Sequence, residues 1–216
     1  MMFSSFLLKT LAKKASAKNK KNKNSAIAHQ QAVFKNILFR GHNSILGEKL
    51  KVFPRSTYQD FIKKVPVGDY ESLRPYISEI SNGKANVLTS GKPKYFAITS
   101  GTTSGTKYIP LTQEMMGFQT RAIKELLLLY AYQTSSYSVA NVGMMFIQGS
   151  PELRYLNQMP FAKLSGIAAR HVPFFLKRNR YPSMKTNCIS PWDKKIEQIV
   201  KETFDKDMRV IGGIPP

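Results

Sequence analysis

Phe96-Ala-Ile-Thr-Ser-Gly-Thr-Thr-Ser-Gly-Thr-Lys-Tyr-Ile-Pro-Leu-Thr112 is the stretch on which the reading of this chain turns. Tyr95 to Ile98 has the composition of a buried strand, Thr99 to Thr106 is dense in hydroxyls and glycines, and Lys107 opens a second apolar run to Leu111. Glycine lets the backbone approach a ligand closely, and successive free N–H groups form an anion-binding concavity. The hydroxyls of Thr99, Ser100, Thr102, Thr103 and Ser104 add donors, Gly101 and Gly105 give room, and Lys107 brings a positive charge for phosphate oxygens. Together they read as a phosphate cradle between two strands. The plainer alternative is a polar turn.

The loop is not the common P-loop. That motif has four residues between its first glycine and Gly-Lys-Ser/Thr, and it runs directly into a helix. Here three residues separate Gly101 from Gly105, and Lys107 is followed by Tyr-Ile-Pro, which suits a strand. The stretch resembles instead the Thr-Ser-Gly-Thr-Thr-Ser/Gly-x-x-Lys signature of adenylate-forming enzymes, and its Lys-Tyr-Ile-Pro-Leu-Thr continuation narrows the resemblance to the GH3 acyl-acid amido synthetases. Lys64-Val65-Pro66, Asp69-Tyr70-Glu71 and Arg74-Pro75-Tyr76-Ile77 agree with that family's pattern, as does Ile211-Gly-Gly-Ile-Pro-Pro216. Thr106 departs from the small apolar residue or proline common at its place, which counts against the acyl-CoA synthetase branch more than against GH3.

The resemblance implies the incomplete N-terminal part of an adenylate-forming, firefly-luciferase-like large domain, an α/β fold with helices packed on a mainly parallel sheet. It implies ATP and Mg2+ as cofactors, and a small carboxylic acid and an amino acid as partners. The acid is adenylated and the amine then displaces AMP. It also implies a parent more than twice this long, whose ribose, adenine and metal motifs lie beyond Pro216, so this chain alone is expected to be inactive. Arg121 or Lys124, on the helix after the loop, is the candidate for the substrate carboxylate; a solvated helix face is the bland reading of both. No catalytic nucleophile is proposed. The alternatives are an acyl-CoA ligase of the same superfamily and a non-enzymatic basic binding module.

At 216 residues the chain has room for a real core, and an apolar fraction of 42% fits a globular protein. Its net charge of +20 would ordinarily suggest nucleic acid or an anionic membrane. The charge is concentrated: residues 1–64 hold 14 Lys/Arg against 2 Asp/Glu, many of them in a Lys/Asn/Ala/Ser tract from Lys13 to Lys23. Residues 1–24 therefore read as a basic, flexible segment and residues 25–216 as the domain, with no specific nucleic-acid partner. The single Cys188 excludes an internal disulfide, and His29, His42 and His171 lack metal-ligand spacing. No run approaches the roughly 18 apolar residues that span a bilayer, and a cytoplasmic location is the default.

Along the chain, Phe6, Leu7, Leu11 and Ala15 suggest a short amphipathic helix. A helix from Ala26 to Arg40 has Ser25 as its cap, Ile27, Phe34, Ile37 and Leu38 as its apolar face, and Gly41 just past its end. Ser56 and Gln59 have capping-box spacing, Pro66 ends the helix that follows, and Asp69 caps another that Pro75 is expected to break. Thr112 caps a helix to about Tyr132, apolar nearly all round from Ile123 onward. Val142 to Gln148 reads as a buried strand. Residues 149–189 are less legible and include the basic cluster Lys177, Arg178 and Arg180. Ser190 caps a last helix whose buried stripe is Ile196, Ile199, Val200 and Phe204, and Met208 to Ile211 is a strand.

Overall fold

The computed structural model describes residues 5–99, 105–138, 141–172 and 174–213. The elements in chain order are α1 (Ser5–Lys23), α2 (Ala26–Gly41), α3 (Ile45–Lys49), α4 (Tyr58–Lys64), α5 (Tyr70–Ser81), β1 (Tyr95–Thr99), β2 (Lys107–Leu111) and α6 (Gln113–Thr134). There follow β3 (Gly143–Ile147), β4 (Arg154–Leu156), β5 (Met159–Lys163), α7 (Leu164–Arg170), α8 (Phe174–Lys177), β6 (Arg180–Tyr181), α9 (Met184–Asn187), α10 (Trp192–Thr203) and β7 (Met208–Gly213). Contacts group these into two compact units. Lys21–Gln113 with Arg154–Phe161 forms one; Met1–Lys20, Glu114–Leu153 and Ala162–Pro216 form the other.

The unit around β1 is built on a sheet in the order β2-β1-β5-β4, with β1–β2 and β4–β5 antiparallel. Its core is Ile77, Ile80, Val87, Phe96 and Met159. Asp69, in extended backbone, accepts from the Ser72 N–H at 3.0 Å and starts α5. The helix then passes through Pro75 without the expected break. Only the bond from residue 75 to the Glu71 carbonyl is lost, close to the helix start, and the burial of Ile77 and Ile80 holds the next turn in place. The capping box of α4 sits one residue later than the spacing suggests. Thr57 accepts from the Asp60 N–H at 3.1 Å, and Asp60 accepts from the Thr57 N–H at 2.9 Å. In α2 only Leu38 is buried, while Ile27 and Ile37 are exposed, so the expected apolar face is not a core face. Gly41 is the last helical residue and His42 follows in right-handed backbone, so the helix does not end on a left-handed glycine.

The other unit holds a parallel sheet in the order β6-β3-β7, which supplies the parallel strands expected of the α/β fold. The lysine-rich segment is helical as far as Lys23. Leu8 and Ala12 of α1 pack with Leu128 and Ala131 of α6, so the buried face runs through Leu8, Ala12 and Ser16 rather than Phe6 and Leu7. A helix with small residues at four-residue spacing approaches its neighbour closely, and the lysines stay in water. Helix α6 is less enclosed than its composition suggests: Ile123, Leu126 and Tyr130 are exposed. Pro191 rather than Ser190 holds the N-cap position of α10, with no side-chain capping bond, and the helix's inward residues are Lys195 and Ile199. Ile196, Val200 and Phe204 face solvent, because the amphipathic period locates the helix without saying which flank of the stripe packs.

Candidate functional site

The hydroxyl- and glycine-rich loop closes a β-hairpin. β1 and β2 pair in uninterrupted register from Tyr95↔Leu111 to Thr99↔Lys107, so the exposed Thr99 and the half-buried Lys107 are cross-strand neighbours at the loop's base. Ser100, Gly101, Thr102, Thr103 and Ser104 lie outside the described residues. Gly105 has φ +77°, and a side chain there would meet nothing within 4 Å, so glycine is required by backbone conformation rather than by crowding. Of the expected cradle, the structure therefore brings Thr99 and Lys107 together, with Gly105 in the left-handed region beside them.

The hairpin is held from below by residues whose role the sequence did not disclose. Tyr70, in the Asp69-Tyr70-Glu71 motif, accepts through its hydroxyl from the Tyr108 N–H at 2.9 Å, a donor on the outer strand of the sheet. The Lys107 ammonium lies 5.8 Å from the Tyr70 ring centroid. Tyr108 stacks edge-on with Phe96 and Phe161, at centroid distances of 5.8 and 5.4 Å, and Phe96 is fully buried. One tyrosine thus anchors the second strand through its hydroxyl and supports the loop's lysine through its ring.

A cavity of about 350 Å3 lies within the other unit, in the size range of small-molecule sites. Its wall is mostly aliphatic, with Met116, Ile123, Leu127 and Leu128 from α6, Met144 and Phe146 from β3, and Leu8 and Leu11 from α1. Polar groups interrupt it at Gln119, Thr120, Lys124, Gln148, His171 and Arg180. Lys124, one of the two cations expected to meet a substrate carboxylate, lines the cavity. Arg121 does not; its guanidinium stacks on Phe118 at 5.1 Å.

The polar corner of this cavity is at the C-terminal end of β3. Arg180 donates from Nη1 to the Ala169 carbonyl at 3.2 Å and from Nη2 to the Gln148 side-chain carbonyl. Lys195, only 5% exposed, donates to the backbone carbonyls of Gln148 at 3.2 Å and Asn187 at 3.0 Å. Burial holds both cations below their ordinary pKa values, the expected effect on charges taken from water. Helix α7 is drawn against this corner: Gly149 donates its N–H to Ser165 Oγ at 3.1 Å, and a side chain at Gly166 would strike the Ser150 carbonyl. Gln148, His171 and Arg180 come from separate elements, and only the basic cluster containing Arg180 carried a signal in the sequence. Among the described residues no group of three or more His, Cys, Asp or Glu is placed to hold a metal ion, and no helix is long and apolar enough to cross a membrane.

The model of the GH3 family N-terminal domain matches residues 16–208. A probable indole-3-acetic acid-amido synthetase GH3.13 from Oryza sativa subsp. japonica is 42% identical over 62 residues, 28% of this chain and 13% of that protein. The indole-3-acetic acid-amido synthetase GH3.15 from Arabidopsis thaliana is 47% identical over 58 residues, 26% of this chain and 10% of that protein. A jasmonoyl--L-amino acid synthetase GH3.3 from Oryza sativa subsp. japonica is 31% identical over 96 residues, 44% of this chain and 20% of that protein. The solved structure of a GH3.15 acyl acid amido synthetase superposes with a TM-score of 0.70 at 18% identity, a likeness of fold over 92% of this chain and 35% of that one. The matched region is thus about a third of the solved relative's length.

Proposed function

Since the chain belongs to the GH3 family, we propose that it is the N-terminal part of an ATP-dependent acyl-acid amido synthetase. In this reading MgATP, an acyl acid and an amino acid are substrates. The acid's carboxylate attacks the α-phosphorus and pyrophosphate leaves. The amino acid's nitrogen then attacks the acyl carbonyl, gives up a proton, and AMP leaves with the electron pair of the broken C–O bond. The observation that carries the reading is the hairpin at residues 95–111, whose register sets Thr99 beside Lys107 at the base of a loop of hydroxyls and glycines. That donor set fits phosphate oxygens. Hydroxyl and N–H donors already in place stabilise charge as it develops, and a compact ammonium neutralises it. The Tyr70 hydroxyl and ring fix the strand that bears Lys107.

The acyl acid is assigned to the cavity beside α6, with Lys124 on its wall and Arg121 off it. This chain alone is proposed to lack turnover, because it corresponds to 35% of the length of the solved relative.

ATP–pyrophosphate exchange with a panel of carboxylic acids tests the proposal in a full-length enzyme carrying these residues. Ser100→Ala or Thr102→Ala is expected to slow exchange about a hundredfold or more, corresponding to roughly 2.7–4 kcal/mol for one oxyanion donor. Lys107→Ala should weaken ATP use, and Lys107→Arg should restore it only in part. Near-normal exchange with an unchanged KM for ATP in all these variants would reduce the loop to a polar turn. Exchange by the 216-residue chain itself, above a heat-killed control, would refute its dependence on further sequence.

A further inference from the structure

Arg180 is a half-buried cation that no acidic side chain meets among the described residues. Its backbone is fixed by parallel pairing of β6 with β3, Arg180 standing in register with Met144. Its two acceptors among the described residues, the Ala169 carbonyl and the Gln148 amide, are both neutral. A guanidinium carries five N–H donors, so two acceptors leave it with bonding capacity. Lys195 stands behind Gln148, and its hydrogen bonds among the described residues go to backbone carbonyls. Lys124 adds a second cation to the wall, and no acidic side chain is among the described residues that line it.

Such an arrangement is unfavourable until an anion enters. Charge withdrawn from water is costly unless it is matched, and low-dielectric walls focus the field of the charges that remain. The rest of the wall is aliphatic side chains and Phe146, which favours a ligand with an apolar body. An apolar body with one anionic end fits both halves of the cavity.

We propose that Arg180 pairs with the carboxylate of the acid bound in this cavity, aimed by its bonds to the Ala169 carbonyl and the Gln148 side chain. The inference rests on the assignment of the cavity to the acyl acid and adds the residue that recognises it. The planar guanidinium can offer two parallel N–H bonds to a carboxylate, a geometry unavailable to the ammonium of Lys124. Pairing also keeps the acid ionised, the form that attacks phosphorus. Lys195 is a positioning residue, because it holds the backbone of Gln148 and through it the amide that orients Arg180.

The test uses the whole 216-residue chain and matched acid and primary-amide pairs: indole-3-acetate, 4-phenylbutyrate and octanoate, each against its amide, titrated calorimetrically. The acid of at least one pair is expected to bind ten times or more tightly than its amide, since hydrogen bonds to charged groups are about twice as strong as neutral ones. Arg180→Met should bring acid and amide to within about twofold, and Arg180→Lys should recover part of the preference. The comparison in the unsubstituted protein stands even if Arg180→Met fails to fold. Equal binding of acid and amide overturns the role of Arg180 and leaves the cavity as an acyl site. A preference that persists in Arg180→Met moves the pairing to another cation and overturns it too. Binding of none of the six probes removes the cavity assignment and this inference together, whereas the phosphate-loop reading is judged separately by exchange.

Discussion

Replacing Tyr70 with phenylalanine removes one oxygen from the support of the hairpin and leaves its ring in place. In the structure that oxygen is the acceptor for the Tyr108 N–H at 2.9 Å. Because β2 is the outer strand of its sheet, this donor points away from β1. A donor left unsatisfied by burial costs about 1–3 kcal/mol, and the partial exposure of Tyr108 places the expected loss at the low end, about 1–1.5 kcal/mol. That corresponds to a roughly five- to thirteenfold change in an opening equilibrium. Hydrogen exchange at the Tyr108 amide should accelerate by that factor, and the urea midpoint of this unit should fall with an unchanged slope. Tyr70→Leu should lose more, since the ring under the Lys107 ammonium goes as well, at about 0.5–1 kcal/mol for an exposed cation–π contact. Unchanged Tyr108 exchange in Tyr70→Phe, with an unchanged midpoint, would refute the view that this hydroxyl anchors the loop-bearing strand.

Leu8→Ala should destabilise the unit containing α1 and α6 by about 2–3 kcal/mol in chemical unfolding, whereas Lys20→Ala and Lys21→Ala should be silent, because Leu8 is packed on Leu128 and the lysines are exposed. Equal effects at Leu8 and the lysines would mean that α1 does not dock. Glu202 accepts from the Ser183 N–H at 2.6 Å, Ser183 Oγ at 2.7 Å and Thr186 Oγ at 2.5 Å; burial raises its pKa, but these bonds outweigh it and hold the carboxyl below its ordinary 4.5. Its stabilisation is therefore present above pH 4.5 and lost as pH falls towards the lower folded value, and Glu202→Gln should flatten that acid limb in unfolding curves. Lys195 has the opposite sign. Burial lowers its folded pKa below 10.5, so the unfolded chain binds more protons just below that pH and stability rises with pH through the window. Lys195→Met should remove that rise, and an identical alkaline limb in the variant would show that the amine titrates as in water.

What was legible in the sequence is what a local pattern determines. The strand–loop–strand around Thr99–Lys107 follows from two apolar runs separated by hydroxyls and glycines, and Asp69 as a helix cap follows from a side chain reaching its own backbone three residues on. The capping box at Thr57 was offset by one because Ser56 and Thr57 both carry the required hydroxyl; only the acidic Asp60 distinguishes them. Periodicity located α10 and its buried Ile199, but set Ile196, Val200 and Phe204 inward where the structure turns Lys195 in. The long stem of Lys195 allows a charged residue to sit where an aliphatic one was expected, once two carbonyls receive its ammonium. The polar corner of the cavity was illegible for a different reason. Gln148, Ala169, Arg180 and Lys195 meet only through the parallel pairing of β3 and β6 and the packing of α7 and α10, and no spacing along the chain encodes that.

Among the described residues the strand order β6-β3-β7 leaves β7 as a six-residue border of its sheet, with Ile211 67% exposed on one face. A border strand offers a row of backbone donors and acceptors to any other strand that reaches it, and short strands, charges and prolines are the usual defences. Within β7 the sole ionic side chain is Arg209, and Asp207 neutralises it at 2.9 Å. Protection against edge-to-edge pairing then falls to the long-range repulsion between molecules of net charge +20. Repulsion of that kind reaches about 30 Å in 0.01 M salt and about 3 Å in 1 M, so the colloidal behaviour of the chain is set by ionic strength: dispersed in dilute buffer, and increasingly self-adhesive as added salt lets two borders meet.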